Sequence, residues 1–354
     1  MPANRINVTT QAEFQQALNN ASTLPRSCIE IVNDTIELTS PLILPKTLNA
    51  ASKRLIINGN GATIKPAAGA TLPALILRQS ANQNEALNIM QSQSFHFNDI
   101  MFDGRGTTTV GIDLASTYGS SIENCSFKSL QTGVHLRFAL MTRVINCLTN
   151  AISGTAFIAD MGNWTGASSS NSQSNHTRFE QCRVFNAQGA YAAFAMYAAS
   201  GMVLDQCISE GGQPNYHVYF DSKGSTVVKD FTMRNTHLES TATVAGIKLK
   251  LATGYADISG LYSQYDMVLI DAESSVGYPH VYVKNVPWLT GGTQFKTTGT
   301  AVIWSFEEIY QPDQIWNTTK WVGGVVPYYR YVEFFNQSKQ ILTDSMKVNN
   351  KTIS

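Results

Sequence analysis

Ionisable side chains recur at one position of a short strand motif. The motif reads glycine, apolar, any residue, apolar, and its third place holds Asp113, His135 and Lys248 in three occurrences. Alternate side chains of a strand point to the same side, so we expect these groups, with Arg137 beside them, to face solvent. An acid, an imidazole and cations on one surface suit acid–base chemistry on a polymer of uronic acids.

His217 and Tyr219 are expected on the same surface, because they flank an inward-facing apolar residue. In such a site Arg137 or Lys248 would hold a substrate carboxylate, while His135 or Tyr219 would move protons. The same groups also suit plain hydrogen bonding to sugar hydroxyls. A third interpretation is that they are ordinary polar residues of a strand face.

An insertion between two repeats supplies a further candidate for glycan binding, Trp164. It lies in the segment 162–173, which holds about ten residues beyond the regular spacing. Loops that grow from a rigid repeat often carry its specific contacts, and an exposed indole stacks well on a sugar ring. The alternative is a linker with Trp164 folded back onto the repeats. We expect the aromatic segment that follows to pack rather than to be exposed: Tyr191, Phe194, Met196 and Tyr197.

A repeat of about 25 residues must position these side chains. The segment Ile122 to Phe127 is its template, and Phe97 to Phe102 and Phe179 to Val184 match it well. Measured at one template position, the series comprises Ile100, Cys125, Cys147, Cys182, Cys207, Thr236, Leu261 and Val286. Short strands at this spacing fit neither a propeller blade nor a leucine-rich repeat, but they fit a coil whose turns stack in register.

The residue before each of these positions indicates a backbone bend. It is Asp99, Asn124, Asn146, Gln181, Gln206, Asn235, Gly260 or Asn285. Asn, Asp and Gly tolerate the left-handed conformation that such a bend requires, whereas Gln fits it less well. We therefore expect a ladder of asparagine side chains along one edge and columns of buried apolar residues inside.

Composition excludes several classes of protein. The chain has 354 residues with 25 basic and 25 acidic side chains, so it lacks the basic surface of a nucleic-acid binder. It has no apolar run long enough to cross a membrane, so we expect no membrane insertion. Its five cysteines show no metal-binding spacing, and we expect buried free thiols, no metal and no cofactor.

These residues resemble the pectin-lyase-like superfamily of right-handed parallel β-helices, including its asparagine ladder. Thr10 to Glu13 forms a capping box before a short amphipathic segment, which resembles the helix that caps the N-terminal end of that fold. The resemblance implies an all-β, single-stranded right-handed parallel β-helix with an N-terminal capping helix and an aromatic-rich C-terminal region. Its expected divisions are 1–27 with the capping helix, 28–310 as the β-helix, and 311–354 for capping, oligomerisation or attachment.

Two functions fit this fold best, and a purely architectural capsid or tail protein that binds no sugar is a third, weaker option. The first is a bacteriophage tailspike or receptor-binding protein that recognises a host surface polysaccharide, because the chain resembles trimeric β-helix spikes. Its N-terminus, Met1 to Arg5, shows no signal-peptide core, and aromatic residues crowd Trp316 to Phe335. We therefore expect a homotrimer in a virion, in contact with other virion proteins.

The alternative is a polysaccharide lyase or glycoside hydrolase, secreted if a signal peptide has been removed. Neither a polygalacturonase-like cluster of aspartates nor a calcium-binding set of acids is evident in the sequence, and both gaps weaken the case for an enzyme.

Overall fold

The structure is a computed structural model, and it describes residues 4–80, 82, 84–85, 93–225, 229–263, 265, 267–274, 279–286, 295–299, 302–310, 321–322 and 328–335. Over these residues the chain winds into a right-handed parallel β-helix of about 11 turns, which confirms the predicted fold. All the strand pairs are parallel, and each strand pairs with strands of the turns before and after it. No helix in the described part of the chain is long and apolar enough to span a membrane.

Three sheets form the walls of the coil. The first sheet contains strands Asn4–Val8, Ser27–Ile31, Arg54–Asn58, Ser94–Asn98, Ser121–Glu123, Arg143–Ile145, Arg178–Glu180, Met202–Asp205, Lys229–Arg234, Gly254–Ser259, His280–Val286, Ile303–Tyr310 and Tyr328–Phe335. The second contains Leu42–Ile43, Ala74–Arg78, Val110–Tyr118, Thr132–Leu140, Thr155–Asp160, Ala192–Tyr197, Tyr216–Asp221, Ala245–Lys250, Ile270–Ser274, Phe295–Gly299 and Trp321–Val322. The third contains Thr35–Leu38, Thr63–Pro66, Met101–Asp103, Ser126–Leu130, Leu148–Ile152, Arg183–Phe185, Ile208–Glu210, His237–Glu239 and Tyr262–Ser263.

The helix Gln11–Asn20 packs on the first turns of the coil. Thr10 and Glu13 form the predicted capping box: the Thr10 hydroxyl accepts from the Glu13 amide, and the Glu13 carboxylate accepts from the Thr10 amide. Phe14 and Leu18 lie on its buried side and join the same continuous core as the strands. This end of the β-helix is therefore covered rather than left as an open edge.

The predicted bends confirm the register of the repeat. All eight residues have a positive φ, between +48° and +63°. Along this edge the Asn124 amide donates to the Asn98 Oδ1 atom at 2.9 Å, and the Asn146 amide donates to the Asn124 Oδ1 atom at 2.8 Å. The two glutamines continue the pattern, because the Gln181 amide donates to the Gln206 side chain at 3.0 Å.

Four cysteines form a buried column inside these bends: Cys125, Cys147, Cys182 and Cys207. All four are free and buried, as predicted, and Cys28, which lies outside the column, is also free and buried. The Cys182 thiol donates to the Val144 carbonyl of the preceding turn at 3.3 Å, and the Cys207 thiol donates to the Phe179 carbonyl at 3.4 Å. The small thiol thus fills the space beside a bend and satisfies a carbonyl there.

Parts of the predicted divisions lie outside the described residues. Beyond Tyr310 the structure describes two strands, Trp321–Val322 and Tyr328–Phe335, which extend the second and first sheets. The side chains of the aromatic cluster between Trp316 and Phe335 are not described. The homotrimer and the attachment role of 311–354 therefore stay predictions.

Candidate functional site

The outer surface of the second sheet carries most of the predicted site residues. Strand pairing places alternate side chains in two columns that run along the coil. The first column is Asp113, His135, Ile158, Ala195, Tyr219, Lys248, Asp271 and Lys296. The second is Arg137, Asp160, Tyr197, Asp221, Lys250, Glu273 and Thr298. We call this surface the outer face.

The N-terminal part of the outer face holds two acids and two nitrogen bases. Asp113 and His135 are directly paired across neighbouring strands, as predicted. The Arg137 Nε atom lies 2.9 Å from the Asp113 Oδ1 atom, so the two charges form a close ion pair. The His135 Nε2 atom is buried, has no hydrogen-bond partner among the described residues, and lies 3.8 Å from the Asp160 Oδ2 atom.

Four tyrosines lie together in the middle of the outer face, and we call them the tyrosine cluster: Tyr191, Tyr197, Tyr216 and Tyr219. Tyr219 is at the centre, with its ring centroid 5.2–5.6 Å from those of the other three. Its side chain is nearly buried, whereas Tyr191 is 39% exposed. The Tyr219 hydroxyl donates to the Asp221 Oδ2 atom at 3.1 Å. The cluster thus offers aromatic rings and hydroxyl groups on two successive turns.

Three phenols of this cluster have a raised pKa and so stay neutral: Tyr197, Tyr216 and Tyr219. Burial, the nearby Tyr191 and the Asp160 carboxylate raise the pKa of Tyr197 well above its ordinary value. Burial, the hydrogen bond with Tyr191 and the Asp221 carboxylate raise the pKa of Tyr219 still further. A neutral phenol donates hydrogen bonds but does not readily abstract a proton. Tyr219 is therefore suited to positioning, and less suited to the base role that the sequence left open.

Lys248 lies at the C-terminal side of the tyrosine cluster and is fully paired. Its Nζ atom lies 3.0 Å from the Asp271 Oδ2 atom and 2.9 Å from the Glu273 Oε2 atom. The side chain is nearly buried by these partners. A substrate carboxylate would have to displace both acids, so Lys248 and the similarly paired Arg137 are weak candidates for holding one.

His217 is not on the outer face, and this expectation was wrong. Its ring is fully buried, with the Nδ1 atom 2.7 Å from the Ser209 hydroxyl and the Nε2 atom 2.7 Å from the Ser240 carbonyl. Pairing of Val218 with Ile247 places His217 in the register of Gly246. Glycine often occupies this register, just before the inward-facing residue. A side chain added there would point into the core, as one at Gly111 would point towards Phe127. The strand therefore does not alternate at this point.

Trp164 is also not exposed, so the expectation of an exposed indole in the long loop was wrong. Its side chain is 6% exposed and packs edge-on against Phe138, with centroids 5.3 Å apart. The Lys229 ammonium donates to the Ser169 carbonyl at 3.2 Å and ties the same loop to the first sheet. Hydrogen bonds among Ser168, Asn171 and Ser172 close the loop on itself. The folded-back alternative is the one observed.

Three outer-face residues were not proposed from the sequence: Asp160, Tyr197 and Asp221. The expectation that the segment around Tyr191 packs is correct for Phe194 and Met196, which are buried, but Tyr191 is exposed. The sequence contained a signal for all three, because the residues in the register of Arg137 on the following turns are an acid, a tyrosine and another acid. The long insertion between Asp160 and the next turn obscured that register.

Comparison with known proteins agrees with the fold. No family model and no curated protein sequence matches the chain. The A-module of the Azotobacter vinelandii mannuronan C-5 epimerase AlgE6 superposes with a TM-score of 0.56 at 10% identity, over 93% of this chain and 96% of that one. The catalytic unit of a GH87 α-1,3-glucanase from Streptomyces thermodiastaticus superposes with a TM-score of 0.57 at 12% identity, over 93% and 69%. These likenesses show the fold of this chain, a right-handed parallel β-helix.

Proposed function

We propose that the chain binds a polysaccharide along its outer face and hydrolyses it there. The observation that carries this proposal is the tyrosine cluster with carboxylates on both sides. Aromatic rings stack on the apolar faces of sugars, while phenol hydroxyls and carboxylates accept and donate hydrogen bonds to sugar hydroxyls. Successive turns are about 4.8 Å apart, close to the length of one sugar unit, so a polymer can repeat its contacts from turn to turn.

Asp160 and Asp221 are the proposed catalytic pair. They belong to the same column with Tyr197 between them, so their Cα atoms are two turns, or roughly 10 Å, apart. Inverting glycosidases hold their two carboxyl groups about 6.5–9.5 Å apart, which leaves room for a water molecule, and retaining ones hold them closer. Side chains of one column point the same way, so a carboxyl separation near that of the Cα atoms is closer to the inverting range than to the retaining one.

The surroundings of each carboxylate suggest its role. Asp221 accepts hydrogen bonds from the Tyr219 hydroxyl and from the Lys223 amide at 2.7 Å, so it is held as an acceptor and suits the base that takes a proton from water. Asp160 would then protonate the glycosidic oxygen as the bond to the anomeric carbon breaks. The water oxygen bonds to that carbon and creates a new reducing end.

The proposal is tested by incubating the protein with a panel of bacterial surface polysaccharides. We expect binding to at least one polymer and new reducing ends without unsaturated uronates. Asp160→Asn and Asp221→Asn should each retain binding and lose at least 99% of turnover, on the order expected for a general acid or base. Asp257→Asn, a control on the first sheet where Asp257 pairs loosely with Lys284, should change neither. Unsaturated products would contradict hydrolysis, and absence of binding to every polymer would contradict the proposal as a whole.

The carbohydrate-enzyme proposal also bears on the first predicted function. The carboxylates of the outer face support an enzyme whether or not the protein is part of a virion. A tailspike or receptor-binding protein that cleaves its receptor would use the same surface, so location in a virion stays a prediction. Light scattering of the purified chain tests the predicted trimer, and a stable monomer at micromolar concentration would contradict it.

A further inference from the structure

A cleft lies at the C-terminal side of the tyrosine cluster. Its volume is about 320 Å³, and its lining includes two lysines and two carboxylates, those of Asp221 and Glu273: 221–224, 250–252 and 273. The two turns follow the strands that carry Tyr219 and Lys248, so the cleft continues the outer face. A polymer stacked on the tyrosine cluster can reach it with the adjacent sugar unit.

Two lysines in this cleft retain free hydrogen-bonding capacity. The Lys223 Nζ atom lies 3.9 Å from the Asp221 Oδ2 atom, and the Lys250 Nζ atom lies 3.9 Å from the Glu273 Oε1 atom. Both distances exceed the usual hydrogen-bond range of about 2.7–3.2 Å. Their side chains are 42% and 39% exposed. These ammonium groups can therefore turn towards a ligand without breaking a close ion pair.

The position of Lys223 links the cleft to the tyrosine cluster. Its Nζ atom lies 4.4 Å from the centroid of the Tyr197 ring, which is a cation–π distance. The ammonium thus lies over the Tyr197 ring, next to the rest of the tyrosine cluster. A sugar on that surface would place a substituent of its ring against Lys223.

Two other cations of the outer face, Arg137 and Lys248, are less available. Arg137 is 2.9 Å from the Asp113 carboxylate, and Lys248 lies between Asp271 and Glu273 at 3.0 and 2.9 Å. Freeing Arg137 would remove the close partner of the nearly buried Asp113, and freeing Lys248 would leave the nearly buried Asp271 with only the more distant Lys296 at 3.5 Å, which is costly in both cases. The looser pairs of Lys223 and Lys250 carry no such penalty, because both lysines are already partly hydrated.

We infer that this cleft is a subsite for the carboxylate of an acidic sugar, with Lys223 and Lys250 as its ligands. The inference rests on the proposed function and adds a substrate class to it: an acidic rather than a neutral polysaccharide. A carboxylate between the two ammonium groups would accept a hydrogen bond from each, and charge-assisted bonds of this kind are stronger than neutral ones.

The test compares acidic polymers with their neutral counterparts. Polygalacturonate, alginate and hyaluronate, each also in carboxyl-reduced form, are titrated against the parent protein and against Lys223→Gln, Lys250→Gln and the double variant. At least one acidic polymer should bind more tightly than its reduced form. Each single variant should weaken that binding about fivefold and the double variant at least tenfold, while binding of reduced forms stays unchanged. The preference for the acidic form should fall as salt is raised.

Lys284→Gln is the matched control, because Lys284 is 36% exposed and lies 3.8 Å from the Asp257 carboxylate on the first sheet. It should bind like the parent. Equal binding of acidic and reduced polymers, or full affinity in the double variant, would overturn the subsite and leave the proposed function intact. Failure of every polymer in both forms to bind would contradict both.

Discussion

The buried imidazole of His217 should make the stability of this β-helix depend on pH. The Nε2 atom donates to the Ser240 carbonyl, which can only accept, and in the neutral ring the Nδ1 atom accepts from the Ser209 hydroxyl. The neutral ring therefore satisfies both partners. Burial disfavours the charged form and lowers the pKa of His217 to about 4, from an ordinary value of 6.5, with the Ser240 hydrogen bond opposing it.

The sign and size of the effect follow from proton linkage. Between pH 6.5 and pH 4 the unfolded chain binds a proton at this position and the folded chain does not. The stability due to neutral His217 is therefore fully present above pH 6.5 and is lost as the pH falls towards 4. At about 1.4 kcal/mol for each pH unit, the loss is about 3 kcal/mol. Most of it should be complete at pH 4.5.

Urea unfolding of the parent and of His217→Gln at pH 7.5 and pH 4.5 measures this contribution. Glutamine can donate to Ser240 and accept from Ser209 but does not titrate. The variant should therefore be less stable than the parent at pH 7.5, and this difference in the free energy of unfolding should be smaller by about 3 kcal/mol at pH 4.5. His237→Gln, at a surface histidine, should leave the pH dependence as it is in the parent. As a second measurement, NMR of the parent should find the His217 ring neutral at pH 5.5. A protonated ring there, or a variant that keeps the whole pH dependence, would refute the reasoning.

Two further substitutions test the bend and the loop. Asn146→Ala should lower the free energy of unfolding by about 2 kcal/mol, because alanine is strained at φ +49° and the hydrogen bond to Asn124 is lost. Asn146→Gly relieves the strain, so it should lower the free energy of unfolding, measured in urea, by about half as much. Equal losses in the two variants would show that backbone strain contributes nothing. Trp164→Ala should reduce stability by about 3 kcal/mol through lost packing on Phe138, while polysaccharide affinity in titrations stays at the parent value. A loss of affinity without a loss of stability would instead place the indole in the binding site.

The sequence predicted the register of the coil because the bend has a strict conformational requirement. Few residue types accept a positive φ, so a series of Asn, Asp and Gly at one spacing indicates a repeated backbone feature. Gln181 and Gln206 fit less well and still adopt φ of +56° and +54°, because their neighbours in the column are already fixed at that edge. The stacking of turns therefore overrides the local preference of a single residue.

The facing of individual side chains was harder to predict. Strand alternation placed Asp113, His135 and Tyr219 correctly on the outer face, because their strands are regular at those positions. The prediction for His217 was wrong because the position before the inward-facing residue also points into the core. Gly246 occupies the same register on the next turn. Trp164 is buried by Phe138, which comes from an earlier turn. No local sequence pattern indicates that contact.

The location of the aromatic surface has a consequence for binding. The sequence pointed to a tryptophan in the longest loop, whereas the rings of the tyrosine cluster belong to or directly precede strands of two successive turns. Rings held by a stacked sheet lose little freedom when a ligand arrives, so less of the contact energy is offset by ordering. Their spacing is fixed by hydrogen bonds between turns, about 4.8 Å for each step. A polymer must therefore adapt its own repeat to the coil, and an extended chain with nearly one sugar unit per turn satisfies that condition best.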